Sequence, residues 1–291
     1  DNLPFENAGV LKTTGFELQA KWSDKLSNGF AYSVGVALSD DKAEVLSYPS
    51  NPTNKIGDGV LYKGYTVGDI WGYETGGILQ ESDFDGVGPN GKPLYHGAYF
   101  KGGQPYPGYV WYQDLDHDGV ITSGLSTVDD PGDKKVIGNN APRYRYNITA
   151  NFQYKGFDLD LMFQGVGKRD YWLKDVSSYW GGGAGSWETY NQSWTPERTD
   201  AKFPMYGSGI GSYAQSGYLL DASYIKLKQV ILGYTFPKAL IGKVGLKKLR
   251  LNIAAYNLFT LSDVPKYYDS DYLSDAYPPK RTFSVGIQVG F

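Results

Sequence analysis

The sequence predicts an all-β fold: a transmembrane antiparallel β-barrel wall of about seven strands with long extracellular loops. Three observations carry this expectation. Several stretches alternate apolar with polar or small residues at period two. The connections between them alternate short and long. Aromatic residues gather beside the short connections. The final stretch, 281–291, shows the first feature plainly. Phe283, Val285, Ile287, Val289 and Phe291 fall on one face, and Thr282, Ser284, Gly286, Gln288 and Gly290 on the other. Strand side chains point to opposite faces in turn, and a tilted spanning strand needs about 9–11 residues. Taken alone, this strand fits the edge of a soluble sandwich equally well, so the remaining elements decide.

From the N-terminus, Phe16, Leu18, Ala20 and Trp22 alternate with Glu17, Gln19 and Lys21. A polar turn at 23–27 leads to Phe30, Tyr32, Val34, Val36 and Leu38, which alternate with small or polar residues. That pattern is a hairpin with one greasy face. From about 45 to 142 the alternation fades into Gly, Pro, Asn and Asp, with a local hairpin expected over 64–80. A connection of that length argues against a compact soluble domain and suits an outer loop of a membrane barrel.

Alternation returns with Tyr144, Tyr146, Ile148, Ala150, Phe152 and Tyr154 against Arg145, Asn147, Thr149, Asn151 and Gln153. Lys155-Gly156 makes a tight turn. Phe157, Leu159, Leu161 and Phe163 then oppose Asp158, Asp160, Met162 and Gln164. Two carboxylates on one strand face require water. A second long loop covers about 167–221. In 223–236, Ile225 and Leu227 set one phase and Val230, Leu232, Tyr234 and Phe236 the other, so a bulge is expected near Lys228-Gln229. Residues 237–245 form a medium turn with room for one helical turn. Leu249, Leu251, Ile253 and Ala255 give the sixth strand, a third loop spans about 260–280, and the last strand closes the chain.

Every short turn thus falls at one end of the strands, with Trp22, Tyr154, Phe157, Tyr234, Phe236 and Phe291 beside it. That is the placement of an interfacial aromatic girdle at the periplasmic side. Complete bacterial barrels usually have an even strand count, so seven strands suggest part of a larger barrel. The chain begins at Asp1 without Met or signal peptide, as expected of a processed protein or a piece of a longer one.

Composition sets outer limits. The 291 residues carry 28 Lys+Arg against 31 Asp+Glu, a net charge of −3 and no basic run, which leaves no nucleic-acid footprint. Tyr (26) and Gly (38) are abundant, which favours strands and turns over helices. Mean hydropathy is −0.41, and no run reaches the ~18 apolar residues of a transmembrane helix, which leaves a barrel open. Without cysteine, neither a disulfide framework nor a Cys metal site exists.

Several segments together resemble one family, the SusC/RagA-like TonB-dependent transporters of the Bacteroidetes outer membrane. They include Gly64-Tyr65-Thr66-Val67-Gly68-Asp69-Ile70-Trp71-Gly72-Tyr73, Asp114-Leu115-Asp116-His117-Asp118-Gly119 and Ile137-Gly138-Asn139-Asn140-Ala141-Pro142-Arg143-Tyr144. Tyr154-Lys155-Gly156-Phe157-Asp158-Leu159, Trp194-Thr195-Pro196-Glu197, Leu232-Gly233-Tyr234-Thr235-Phe236-Pro237, Tyr256-Asn257-Leu258-Phe259-Thr260 and the end at Phe291 complete the set. Each is weak alone; their order along nearly the whole chain makes the match specific. The resemblance implies a 22-stranded barrel filled by an N-terminal plug, of which this chain would be the C-terminal part, without plug or TonB box. It implies active import of an oligosaccharide or peptide across the cell outer membrane. It also implies a SusD-like surface lipoprotein as lid and the TonB complex as energy source.

Asp114-x-Asp116-x-Asp118-Gly119 matches the first six positions of a Ca²⁺ loop, with the Val120 carbonyl at the seventh. Leu125 stands where a bidentate Glu belongs, and Asp129 or Asp130 would have to substitute. An acidic solvated turn accounts for the same residues equally well. His96 and His117 are the only histidines, which argues against His-based catalysis or a zinc site, and no enzyme activity is expected. Gly207-x-Gly209-x-Gly211 lacks a flanking strand and helix, and 181–185 suits a mobile Gly-rich loop.

The second loop carries Trp172, Tyr179, Trp180, Trp187, Tyr190 and Trp194, candidates for stacking on a sugar or gripping a peptide. Packing between loops, or against a lid, is the competing role for each. A passive porin or adhesin barrel, and a soluble carbohydrate-binding β-protein, are the alternative functions.

Overall fold

The computed structural model describes residues 9–172, 187–208, 213–266, 268–273 and 279–291. In chain order, β1 (Val10–Lys25) and β2 (Ala31–Ser47) come first. β3 (Asp69–Tyr73), β4 (Thr75–Ile78), β5 (Tyr99–Phe100), β6 (Val110–Tyr112), β7 (Val120–Ile121) and β8 (Lys134–Asn139) follow within the first long connection. β9 (Arg143–Tyr154) and β10 (Phe157–Lys168) make the next long hairpin. β11 (Asp170–Trp172) and β12 (Leu219–Asp221) flank the second connection, and β13 (Tyr224–Thr235), β14 (Lys248–Leu261) and β15 (Thr282–Gly290) finish the chain.

Seven of these strands form one sheet in the order β1-β2-β9-β10-β13-β14-β15. They are the seven expected from alternation, and the sheet is the antiparallel wall of a transmembrane barrel. Among the described residues it does not close, and β1 and β15 lie at its ends. No helix among those residues is long and apolar enough to cross a membrane.

Contacts divide the chain into two compact units. A loop unit comprises Asp1–Thr13, Ala43–Ala141 and Asp170–Leu220; a wall unit comprises Thr14–Lys42, Pro142–Arg169 and Asp221–Phe291.

In the wall, register puts like with like. Val36↔Ile148, Leu161↔Ala150, Leu161↔Val230, Leu232↔Ile253 and Ile253↔Val285 line up on one face. That face is left bare: Leu232, Ile253, Phe283, Val285 and Ile287 are all exposed. A water-soluble protein rarely leaves so large an apolar surface uncovered; a barrel turns it to lipid. The opposite face pairs Ser33↔Asn151, Asn151↔Asp160, Gly233↔Asn252 and Ala254↔Ser284.

The Lys155-Gly156 connection is a two-residue turn with positive φ at both positions, 47° and 87°. That is the turn whose twist matches a hairpin. The bulge expected near Lys228 is present. Met162 pairs with Gln229 and Phe163 with Leu227, which leaves Lys228 as the extra residue. The 237–245 turn contains a helical turn, Lys238–Ile241, and ends at Gly245 in the left-handed region. At the short-turn end, Phe157 lies 4.5 Å from Tyr234, and Tyr234 lies 4.9 Å from Phe236, ring centre to ring centre.

One expectation is corrected. Residues 64–80 do not make a local hairpin: β3 pairs with β8, and β4 pairs with β6. The reason is the aromatic core of the loop unit. Tyr73, Val110, Tyr112 and Ile121 bury together, and only long-range pairing brings them to one place. A second cluster, Val45, Ile56, Tyr62 and Tyr65, packs against Trp71, whose indole N–H donates to the Tyr62 hydroxyl at 2.9 Å.

Candidate functional site

Several charged side chains of the wall are held by polar partners. Asp158 accepts from Arg250 Nε at 3.2 Å, and Asp160 accepts from the Asn151 amide. Arg143 grips Asp40 with two bonds, 2.5 and 2.6 Å. Lys226 is almost wholly buried, and its ammonium donates to Asp269 at 2.7 and 2.9 Å and to Asp271 at 3.0 Å. Lys228, the bulged residue, donates to Asp271 at 2.5 Å. Lys226 and Lys228 thus bring two cations of one strand to two carboxylates of the loop after β14, and tie that loop to the wall.

Beside this clamp, a recess of 920 Å³ is lined by Gln19, Arg145, Gln164, Arg169, Tyr224 and Lys228 among others. Its donors and acceptors suit a polar cargo or a polar protein segment. In the loop unit, a smaller recess of 340 Å³ is lined by Thr75, Gln80, Asp200, Lys202 and Tyr218.

The aromatic candidates separate by burial. Trp187 is 75% and Tyr190 50% exposed, and their rings stack 5.5 Å apart within the short helix Trp187–Asn191. Trp172 is half-buried on β11. Trp194 is 4% exposed, and its indole N–H donates to Gln80 Oε1 at 3.0 Å. A Cβ on Gly108 would come within 2.5 Å of the Trp194 ring, so this glycine is what lets the indole pack. Trp194 thus packs inside the loop unit, and Trp187 with Tyr190 offers an open flat surface. Tyr179, Trp180 and residues 181–185, 209 and 211 lie outside the described residues.

The acidic motif lies between β6 and β7. Asp114 Oδ2 accepts from Gly119 N–H at 2.8 Å, Asp116 Oδ1 from Asp118 N–H at 3.2 Å, and Asp118 Oδ1 from Val120 N–H at 2.8 Å. His117 and Gly119 both take positive φ, 60° and 86°, which curls the turn. Desolvation works against ionising Asp114, but N–H donors led by Gly119 outweigh it and hold its carboxyl below the usual range. Asp116 receives the Asp118 N–H, yet desolvation and the carboxylates of Asp118 and Asp133 push it up.

The structure brings together Asp114, Asp116 and Asp133, each with an oxygen within 4.8 Å of the others. Asp118 instead braces the turn. Asp133 was missed in the sequence. Asp130 accepts from Leu125 N–H at 3.2 Å, and neither Asp129 nor Asp130 is among the carboxylates that gather with Asp114 among the described residues. Asp133 is fully buried, and its two oxygens accept from Leu115 and Thr122 N–H, both at 2.7 Å. The available signal was Pro131-Gly132 just before it. Gly132 takes φ 57°, and a Cβ there would lie 2.4 Å from Gly124 N, so only glycine lets the chain double back this closely.

These features define a class: the membrane-spanning wall of an outer-membrane-type β-barrel, with a folded loop unit inserted between strands. No protein-family model matches the chain. Curated relatives do. TonB-dependent receptor P3 of Formosa agariphila is 27% identical over 314 residues, covering 98% of this chain and 29% of the relative. Receptor P26 of the same organism is 24% identical, covering 100% and 30%, and receptor P39 is 23% identical, covering 98% and 31%. The chain spans about three-tenths of the length of these relatives.

Among solved structures, the RagAB peptide transporter matches with a TM-score of 0.67 at 18% identity, over 98% of this chain and 30% of that one. The RagAB peptide importer in its open-open state gives 0.66 at 20% identity, over 97% and 29%. The chain is thus similar in sequence to TonB-dependent receptors and shares the fold seen in the RagAB structures.

Proposed function

We propose that this chain forms part of the wall and outer loops of a SusC/RagA-like importer in the cell outer membrane. The observation that carries this reading is the seven-stranded sheet with one bare apolar face and one paired polar face. Its short connections lie at one end of the strands and its long ones at the other. The apolar face meets lipid, and the polar face lines the path of the cargo. The cargo is a nutrient, an oligosaccharide or a peptide; the solved structures of the same fold are described as peptide transporters. A SusD-like lipoprotein covers the long-loop end, and TonB supplies energy through a part of the protein outside this chain. The role is transport without a chemical step on the cargo.

Among the described aromatic candidates, the Trp187–Tyr190 pair is the one that offers an open stacked surface to a ligand, and such rings give area at little entropic cost. The test is uptake by intact cells of labelled oligosaccharides and labelled peptides, with and without TonB and with and without the lid protein. Energy-dependent uptake of one class that falls when either partner is deleted supports the reading. Uptake that survives loss of TonB points to a passive porin instead.

A further inference from the structure

The acidic turn of the loop unit leaves an electrostatic demand unmet. Asp133 is fully buried, and among the described residues no Lys or Arg forms an ion pair with Asp114, Asp116 or Asp133. Asp114 Oδ1 is shut off from solvent and accepts no hydrogen bond. Buried carboxylates are ordinarily hydrogen-bonded, paired with a cation or bound to a metal. Here Asp114, with its orphaned Oδ1, the buried Asp133 and a third carboxylate, Asp116, each bring one oxygen within 4.8 Å of the others.

We propose that Asp114, Asp116 and Asp133 bind one Ca²⁺ ion that staples the loop unit together. All three donors are carboxylate oxygens, the set that hard cations prefer. Oxygens within 4.8 Å of one another can share one cation, and Ca²⁺ accepts an irregular shell of carboxylate, carbonyl and water oxygens, whereas Mg²⁺ demands near-ideal octahedral order. Asp133 takes the closing role that the sequence motif lacks at Leu125. Its oxygens keep free lone pairs, since each accepts a single N–H. Asp118 shapes the turn through Val120 N–H, and the Val120 carbonyl and water complete the shell.

The ion's position gives it a mechanical role. Asp114 follows β6, Val120 opens β7, and Asp133 immediately precedes β8. β6 and β7 carry Val110, Tyr112 and Ile121 of the buried aromatic cluster. One cation would therefore hold three strands around that cluster. This inference is independent of the cargo and of the transport reading, because its measurements are of metal binding and loop integrity.

The experiment uses the purified protein in detergent, stripped with EGTA and titrated with CaCl₂ by calorimetry. One Ca²⁺ site is expected, with Mg²⁺ at least about tenfold weaker. Asp116→Asn keeps an acceptor for Asp118 N–H and removes one ligand charge, so it should weaken Ca²⁺ at least about tenfold. Asp129→Asn, on the exposed part of the same loop, should leave binding unchanged. Limited proteolysis should cut within 43–141 faster after EGTA in the parent protein, and at the fast rate with or without Ca²⁺ in Asp116→Asn. Failure of the folded protein to take up Ca²⁺, or equal affinity in Asp116→Asn and its parent, overturns the proposal.

Discussion

Replacing Val285 by Arg tests the assignment of faces most directly. Val285 is 76% exposed on the apolar side of β15, opposite Ile253. It stands three residues from Thr282 and five from Gly290. At about 3.3 Å per residue and a tilt near 45°, each residue advances roughly 2.3 Å along the membrane normal. Val285 therefore lies about 7 Å from one end of the strand and about 12 Å from the other, well inside an apolar band about 25 Å tall. An Arg there should cost about 2–4 kcal/mol. Ser284, its neighbour, faces Ala254 on the polar side, and Ser284→Arg should cost well under about 1 kcal/mol. The pair should differ by roughly 5- to 700-fold in folding equilibrium, at about 1.4 kcal/mol per tenfold. The assay is guanidinium-dependent folding into lipid vesicles, followed by heat-modifiable gel mobility. Leu161→Arg, on the same face of β10, should behave like Val285→Arg. Equal costs at Val285 and Ser284, or a larger cost at Ser284, would refute the face assignment.

Other outcomes follow from the clamp and the loop unit. Lys226→Met leaves Asp269 and Asp271 short of a buried partner and should destabilise the wall by about 3–5 kcal/mol. Adding Asp269→Asn and Asp271→Asn should recover much of that loss in the same vesicle assay. Desolvation pushes the Asp271 carboxyl up, but hydrogen bonds led by Lys228 outweigh it, so it lies below the ordinary 3.8. Its contribution is therefore present above about pH 4 and lost as pH falls through its folded value; the parent should lose stability below about pH 4 more steeply than Asp271→Asn. Trp194→Ala should cost about 3–5 kcal/mol in the loop unit, seen as faster proteolysis. Trp187→Ala with Tyr190→Ala should leave proteolysis unchanged and lower cargo uptake or lid binding.

Alternation alone determined the wall. All seven strands and the faces of Phe283, Val285 and Ile287 were legible because a lipid-facing strand must repeat every second residue. The Lys155-Gly156 turn and the Lys228 bulge were legible for the same reason: one supplies positive φ, and the other breaks the phase. The loop unit obeys no such rule. Its core forms from Tyr73, Tyr112 and Ile121, residues far apart in the chain. Local reading therefore joined 64–80 into a hairpin, where tertiary pairing sends β3 to β8 and β4 to β6. The same distance hid the roles of single residues. Trp187 and Trp194 look alike in sequence, and only packing against Gly108 and Gln80 separates the buried one from the open one. Asp133 stands fifteen residues beyond Asp118, and only the close passage of Gly132 past Gly124 brings its carboxylate beneath the motif that the sequence had already marked.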